Sequence, residues 1–154
     1  MGYLHIDNLY KAQEVLNFKT CYALEKIHGT SAHIRWSAGE LGFFSGGETH
    51  DRFVQLFDPV ALKVGFLSRF TDQDTVIVYG EAYGGKQQGM SATYGKDLKF
   101  VVFDVKVNDT WLSVPQAAEF TQLLGLEFVD YAEVVTDLAC LDAERDRPSV
   151  QAAR

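Results

Sequence analysis

The run Thr75-Val76-Ile77-Val78-Tyr79-Gly80-Glu81 constrains the fold most strongly. It is apolar and rich in β-branched residues, and it closes on Gly-Glu, so it predicts a buried strand. Lys99-Phe100-Val101-Val102-Phe103-Asp104-Val105-Lys106-Val107 predicts a second. Each carries an acid in an unusual setting. Glu81 stands at the end of the first run, and Asp104 lies inside the second among Phe and Val. A carboxylate in such a place must find donors or water.

The rest of the chain supplies partners for these strands. Tyr22–Glu25 and Ser31–Ser37 read as strands on either side of a short turn, and Ser37-Ala38-Gly39-Glu40 as a hairpin leading to a strand over Leu41–Phe44. Apolar residues at Phe53, Leu56, Phe57, Val60, Val64 and Leu67 have helical spacing, broken at Pro59. Residues 83–94 are glycine-rich and polar and predict a long loop. Thr110–Leu112 reads as a short strand, and Ser113-Val114-Pro115 opens a helix that runs to Leu124 and stops at Gly125. Glu127–Val135 alternates like one strand, and residues 137–147 read as a charged helix. The sum is an α+β fold of antiparallel sheets with packed helices.

Composition narrows the function classes. The 154 residues suit one domain, and 11 Phe, 7 Tyr and 2 Trp against 3 Pro argue for a packed sheet-rich core. A net charge of −7 gives no overall basic signature for nucleic acid, which leaves a local basic groove as the alternative. Cys21 and Cys140 lack metal-ligand spacing and predict reduced thiols. No leader and no window of transmembrane length stands out, so the expected location is cytoplasmic.

The chemistry-bearing stretch is Glu25-Lys26-Ile27-His28-Gly29-Thr30. Strand signals on both sides place Lys26 in a turn, and Gly29 permits close backbone approach. A lysine held there is a surface residue by default. If partly desolvated it becomes a nucleophile.

Three motifs stand in fixed order: Glu25-Lys26-Ile27-His28-Gly29, Val78-Tyr79-Gly80-Glu81, and Phe103-Asp104. Together with Phe43-Phe44-Ser45-Gly46-Gly47 and Tyr94-Gly95-Lys96-Asp97, they closely resemble the covalent nucleotidyltransferase superfamily, over Cys21 to Val107. Within it they look most like ATP-dependent RNA ligases of the type 2, RNA-editing-ligase-like group. Lys-x-His-Gly replaces the Lys-x-Asp-Gly usual in DNA ligases and capping enzymes. The resemblance implies an ATP-grasp-like ligase adenylation domain, here a single partial domain over residues 1–154.

By that resemblance Lys26 attacks the α-phosphorus of ATP, expels pyrophosphate and carries AMP as a phosphoramidate. AMP then passes to an RNA 5′-phosphate, and a 3′-hydroxyl displaces it to seal the strand. The attacking amine must be neutral, which asks for burial and nearby cations or metal. Glu25 would meet the adenine amino group and Glu81 the ribose hydroxyls. Phe103 would stack on adenine, a contact worth on the order of 1 kcal/mol. Ile27, His28 and Gly29 complete the nucleotide site. His28 and Asp104 would organise the phosphate and metal region, with Mg²⁺ neutralising the triphosphate.

Two later motifs of the family have no match. A Glu-Gly-apolar-Val strand is missing, since Glu133-Val134 lacks the glycine, and no lysine follows Lys106, so a Lys-x-Lys strand is missing too. An arginine usual after the third strand is also unmatched, with Arg35 or Arg52 as substitutes. These gaps predict a domain incomplete at its C-terminus, with a sheet edge open to dimerisation. They also leave a second reading, a non-catalytic remnant that binds nucleotide, RNA ends or a protein partner. Lys63, Arg69, Lys86, Lys96 and Lys99 are the candidate RNA track.

Overall fold

The computed structural model describes residues 2–153, and its larger sheet grows from the two strong strand signals. β1 (Thr20–Leu24) stands apart from it. β2 (Thr30–Ser37) and β3 (Glu40–Ser45) form a hairpin through Ala38 and Gly39, whose φ angles of 52° and 74° give the turn that matches strand twist. β4 (Val76–Tyr83) pairs antiparallel with β2, and β5 (Lys99–Val107) pairs antiparallel with β4. Two short strands extend β5: β6 (Thr110–Trp111) runs antiparallel to it at Lys106 and Val107, and β7 (Glu127–Phe128) runs parallel at Val101 and Val102.

Helices cover one face. α1 (His50–Val54) and α2 (Pro59–Arg69) are separate because Pro59 has no N–H to continue a helix. Asp58 caps α2, accepting from the Val60 and Ala61 N–H groups at 3.1 and 3.3 Å. α3 (Ser91–Tyr94) is one turn long, and α4 (Val114–Leu123) opens on a capping box between Ser113 and Gln116. The main core joins Trp36, Val78, Val102 and Val105 of the sheet to Phe53, Phe66 and Phe120 of the helices. Trp36 and Phe66 stack with ring centroids 5.3 Å apart. Each such side chain stabilises the fold by about 1.5–3 kcal/mol through burial alone.

β1 pairs antiparallel with β8 (Tyr131–Val135) in a separate two-stranded sheet flanked by α5 (Leu138–Arg145). The strands on either side of the lysine turn therefore lie in different sheets, and the turn is a crossover between them. The single strand expected over Glu127–Val135 is likewise divided. Val129 donates its N–H to Val102 O at 2.8 Å in the large sheet, while the Asp130 carbonyl accepts the Glu25 N–H at 2.9 Å at the small one. The loop over 83–94 contains a helical turn at Gln87–Gly89 as well as α3, and it buries Gln87 and Tyr94. Among the described residues each strand of the small sheet has one partner, so both of its outer edges are open. No helix among them is long and apolar enough to cross a membrane.

Candidate nucleotide site between the two sheets

A β-bulge aims the third motif. Tyr79 pairs with Asp104 and Gly80 with Val102, which leaves Phe103 without a partner in β4. Val102 and Val105 both enter the main core although they are three residues apart. Phe103 and Asp104 consequently both project from the opposite face, which strict alternation would forbid. Ile77, Tyr79, Glu81 and Tyr83 of β4 project from that face too, because Val76, Val78 and Ala82 fill the core. Gly80 permits the bulge: a Cβ there would overlap the Val101 carbonyl oxygen and lie 2.7 Å from the Phe100 ring.

The lysine turn is tied to β4 by backbone proximity. A Cβ on Gly29 would overlap the Ala82 carbonyl oxygen, so only glycine lets the turn lie this close. At that distance the Gly29 N–H donates to Glu81 Oε1 at 3.0 Å. Glu81 sits two residues inside β4, not at its end as the sequence suggested. Ile27 is 4 % exposed and anchors the turn in a second apolar cluster with Tyr83, Tyr94, Val101 and Val129, against which Phe103 packs. Lys26 and His28, one on each side of that anchor, are exposed. The burial expected for Lys26 is therefore not found, because Ile27 takes the inward position.

A cavity of about 610 Å³ lies over the turn, lined among others by Glu25, Lys26, His28, Tyr94, Arg145 and Arg147. The His28 N–H makes a long bond to the Tyr94 hydroxyl, 3.5 Å. Arg147 is held by Glu144 at 2.7 Å and Asp130 at 3.2 Å, and Arg145 by Asp142 at 3.3 Å and Asp146 at 3.2 Å. The two arginines beside Lys26 escaped the sequence reading. Arg145 ends α5 and Arg147 lies two residues beyond it, and the pairing of β1 with β8 carries both to the lysine.

The carboxylates have distinct environments. Burial raises the Glu81 carboxyl, and the Gly29 N–H, Lys26 and His28 pull it part of the way back. Burial also raises Asp104, offset by bonds from the Tyr3 hydroxyl at 2.6 Å and the Val105 N–H at 3.0 Å. The Tyr3 ring meets Phe103, Tyr79 and Trp111 edge-on, with centroids 5.0, 5.1 and 5.3 Å away. Glu25 accepts from the Ser149 hydroxyl and from the Val150 and Gln151 N–H groups, the last two at 3.1 and 3.4 Å.

The fold thus brings Glu25, Lys26 and His28 to one cavity and bonds Glu81 to Gly29. Phe103 lies against the cluster that seats Ile27. Asp104 lies apart from the cavity lining, beneath Tyr3. No group of three or more His, Cys, Asp or Glu side chains placed to hold a metal occurs among the described residues. A lone carboxylate still suits Mg²⁺, which binds through one or two carboxylates together with substrate phosphates. Of the surface cations proposed for RNA, Lys63 and Arg69 lie on α2, which covers the other face of the sheet.

No curated protein sequence matches the chain. Among solved structures, an apo mutant of the Naegleria gruberi RNA ligase superposes with a TM-score of 0.69 at 18 % identity, over 94 % of this chain and 46 % of that one. A second mutant of that ligase, with ATP and Mn, gives 0.68 at 16 % identity over 92 % and 46 %. An archaeal ATP-dependent RNA ligase gives 0.65 at 21 % identity over 87 % and 38 %. The chain spans less than half the length of each, and at these identities the likeness is one of fold. The family model described as RNA ligase matches residues 19–150, from the strand before the lysine turn to the segment that bonds Glu25, and the chain belongs to the RNA ligase family.

Proposed function

We propose that this chain is the nucleotide-binding part of an ATP-dependent RNA ligase and that Lys26 is its nucleophile. The observation that carries the reading is the Gly29–Glu81 hydrogen bond, which locks the lysine turn onto the strand bearing the second motif. The ATP- and Mn-bound Naegleria ligase of the same fold supports the choice of nucleotide.

In this reading the neutral Lys26 amine forms a bond to the α-phosphorus of ATP as the bond to pyrophosphate breaks. The amine gives up a proton and AMP remains on Nζ. Phe103 stacks on adenine, Glu25 meets its amino group and Glu81 the ribose hydroxyls. Arg145 and Arg147 stand with Lys26 around the cavity and supply cationic charge near the phosphates. His28 lines the cavity beside the phosphates, and Asp104, outside that lining, is the carboxylate through which Mg²⁺ would be held to neutralise charge on the triphosphate. The AMP then moves to an RNA 5′-phosphate, and a 3′-hydroxyl displaces it.

A second reading, a non-catalytic nucleotide or RNA-end binder, draws on Glu25 and Asp104, which already have donors within the chain. Intact mass after incubation with ATP and Mg²⁺ separates the two. The ligase reading requires one added AMP on the wild type and none on Lys26→Ala. A folded wild type with no adduct removes the enzymatic reading and leaves the binding one.

A further inference from the structure

Residues 149–151 bond to the carboxylate that the nucleotide reading reserves for adenine. Glu25 accepts three donors from this segment: the Ser149 hydroxyl, the Val150 N–H and the Gln151 N–H. A carboxylate offers about four lone-pair sites, so little acceptor capacity is left. Gln151 is 1 % exposed, and its side-chain amide donates to the Tyr83 hydroxyl at 2.9 Å and to Glu127 at 3.2 Å. Ala152 packs against the cluster that seats Ile27 and Phe103. Pro148 and Ser149 also wall the cavity that Lys26 lines.

We infer that the 149–152 segment is an intrasteric latch that competes with the adenine nucleotide for Glu25. The inference rests on the nucleotide reading above. Hydrogen bonds to a charged group are among the stronger ones, and the segment is held by polar and apolar contacts at once, so the latched form prevails without ligand. A nucleotide amino group reaching Glu25 must displace at least one of the three donors. The apparent affinity for ATP is then the intrinsic affinity multiplied by the fraction of molecules in which the latch is open. The side-chain amide oxygen of Gln151, Oε1, buried and without a partner among the described residues, lowers the cost of opening because release returns it to water.

The test measures the Kd for ATP with Mg²⁺ in the wild type, Ser149→Ala and Gln151→Ala, with hydrogen exchange at the 150 and 151 amides read with and without ATP. The latch predicts binding about tenfold tighter in both variants. It also predicts that ATP speeds exchange at both amides in the wild type. Equal affinity in all three proteins, with exchange indifferent to ATP, overturns the latch and leaves the nucleotide site standing. Weaker binding in the variants also overturns it, by making the segment part of the site. Failure of every folded variant to bind ATP removes the nucleotide reading and the latch with it.

Discussion

Tyr3 donates its hydroxyl to Asp104 Oδ2 at 2.6 Å, across 101 positions of sequence. The bond closes one side of the bulged strand and gives a half-buried carboxylate the donor it needs. Removing it in Tyr3→Phe leaves Asp104 with the Val105 N–H as its remaining donor. The Tyr3 bond holds the Asp104 carboxyl down against burial, so its loss should push that carboxyl further up. A carbon-detected titration of the Asp104 carboxyl checks the direction. An unchanged or lower value would show that the bond contributes nothing in solution. Stability should fall by about 1 kcal/mol at neutral pH and by less in acid, where the protonated carboxyl needs no donor.

Gly29 sets the distance between the lysine turn and β4. Gly29→Ala should cost about 1–3 kcal/mol, because the new methyl meets the Ala82 carbonyl oxygen and backbone has to move. The same shift lengthens the bond to Glu81, so AMP transfer to Lys26 should fall with stability. Urea denaturation reads the first effect and intact mass the second. A variant as stable as the wild type would show that the turn has room to relax.

Glu81 makes stability depend on pH. Its carboxyl is raised in the folded protein, so the folded state holds the proton more tightly than the unfolded chain does. This group's contribution is therefore greatest below the ordinary glutamate range. It declines as pH rises through the window just above that range, where the unfolded chain has ionised and the native protein has not. Glu81→Gln removes that decline. Denaturation midpoints between pH 4 and 7 should give a flatter profile for the variant, and parallel profiles would contradict the assignment.

Lys26 and Phe103 should separate chemistry from binding. Lys26→Ala abolishes the AMP adduct while ATP still binds. Phe103→Ala should weaken ATP binding about fivefold, the equivalent of roughly 1 kcal/mol of lost stacking, and adduct should still form at saturating ATP. Calorimetric Kd values beside intact mass make the comparison. Loss of both properties in both variants would point to a folding defect instead.

The sequence by itself determined the two central strands, the hairpin at Ala38-Gly39 and the helix that opens at Ser113-Val114-Pro115. All of these follow from residue type and short spacing. It also determined the order of the motifs and, through them, the family. Tertiary structure decided what lies around them. Glu127–Val135 alternates as one strand would, yet Val129 and Asp130 bond to different sheets, and local periodicity carries no trace of which sheet a strand joins. Sequence alternation puts Phe103 and Asp104 on opposite faces, and the bulge opposite Gly80 puts them on one. A nucleophilic Lys26 asks for burial, whereas Ile27, with no polar side-chain group to satisfy, is the residue the core accepts. Tyr3 at Asp104 and Ser149 at Glu25 bridge more than a hundred residues each, and contacts that long-range are fixed only when the whole chain has packed.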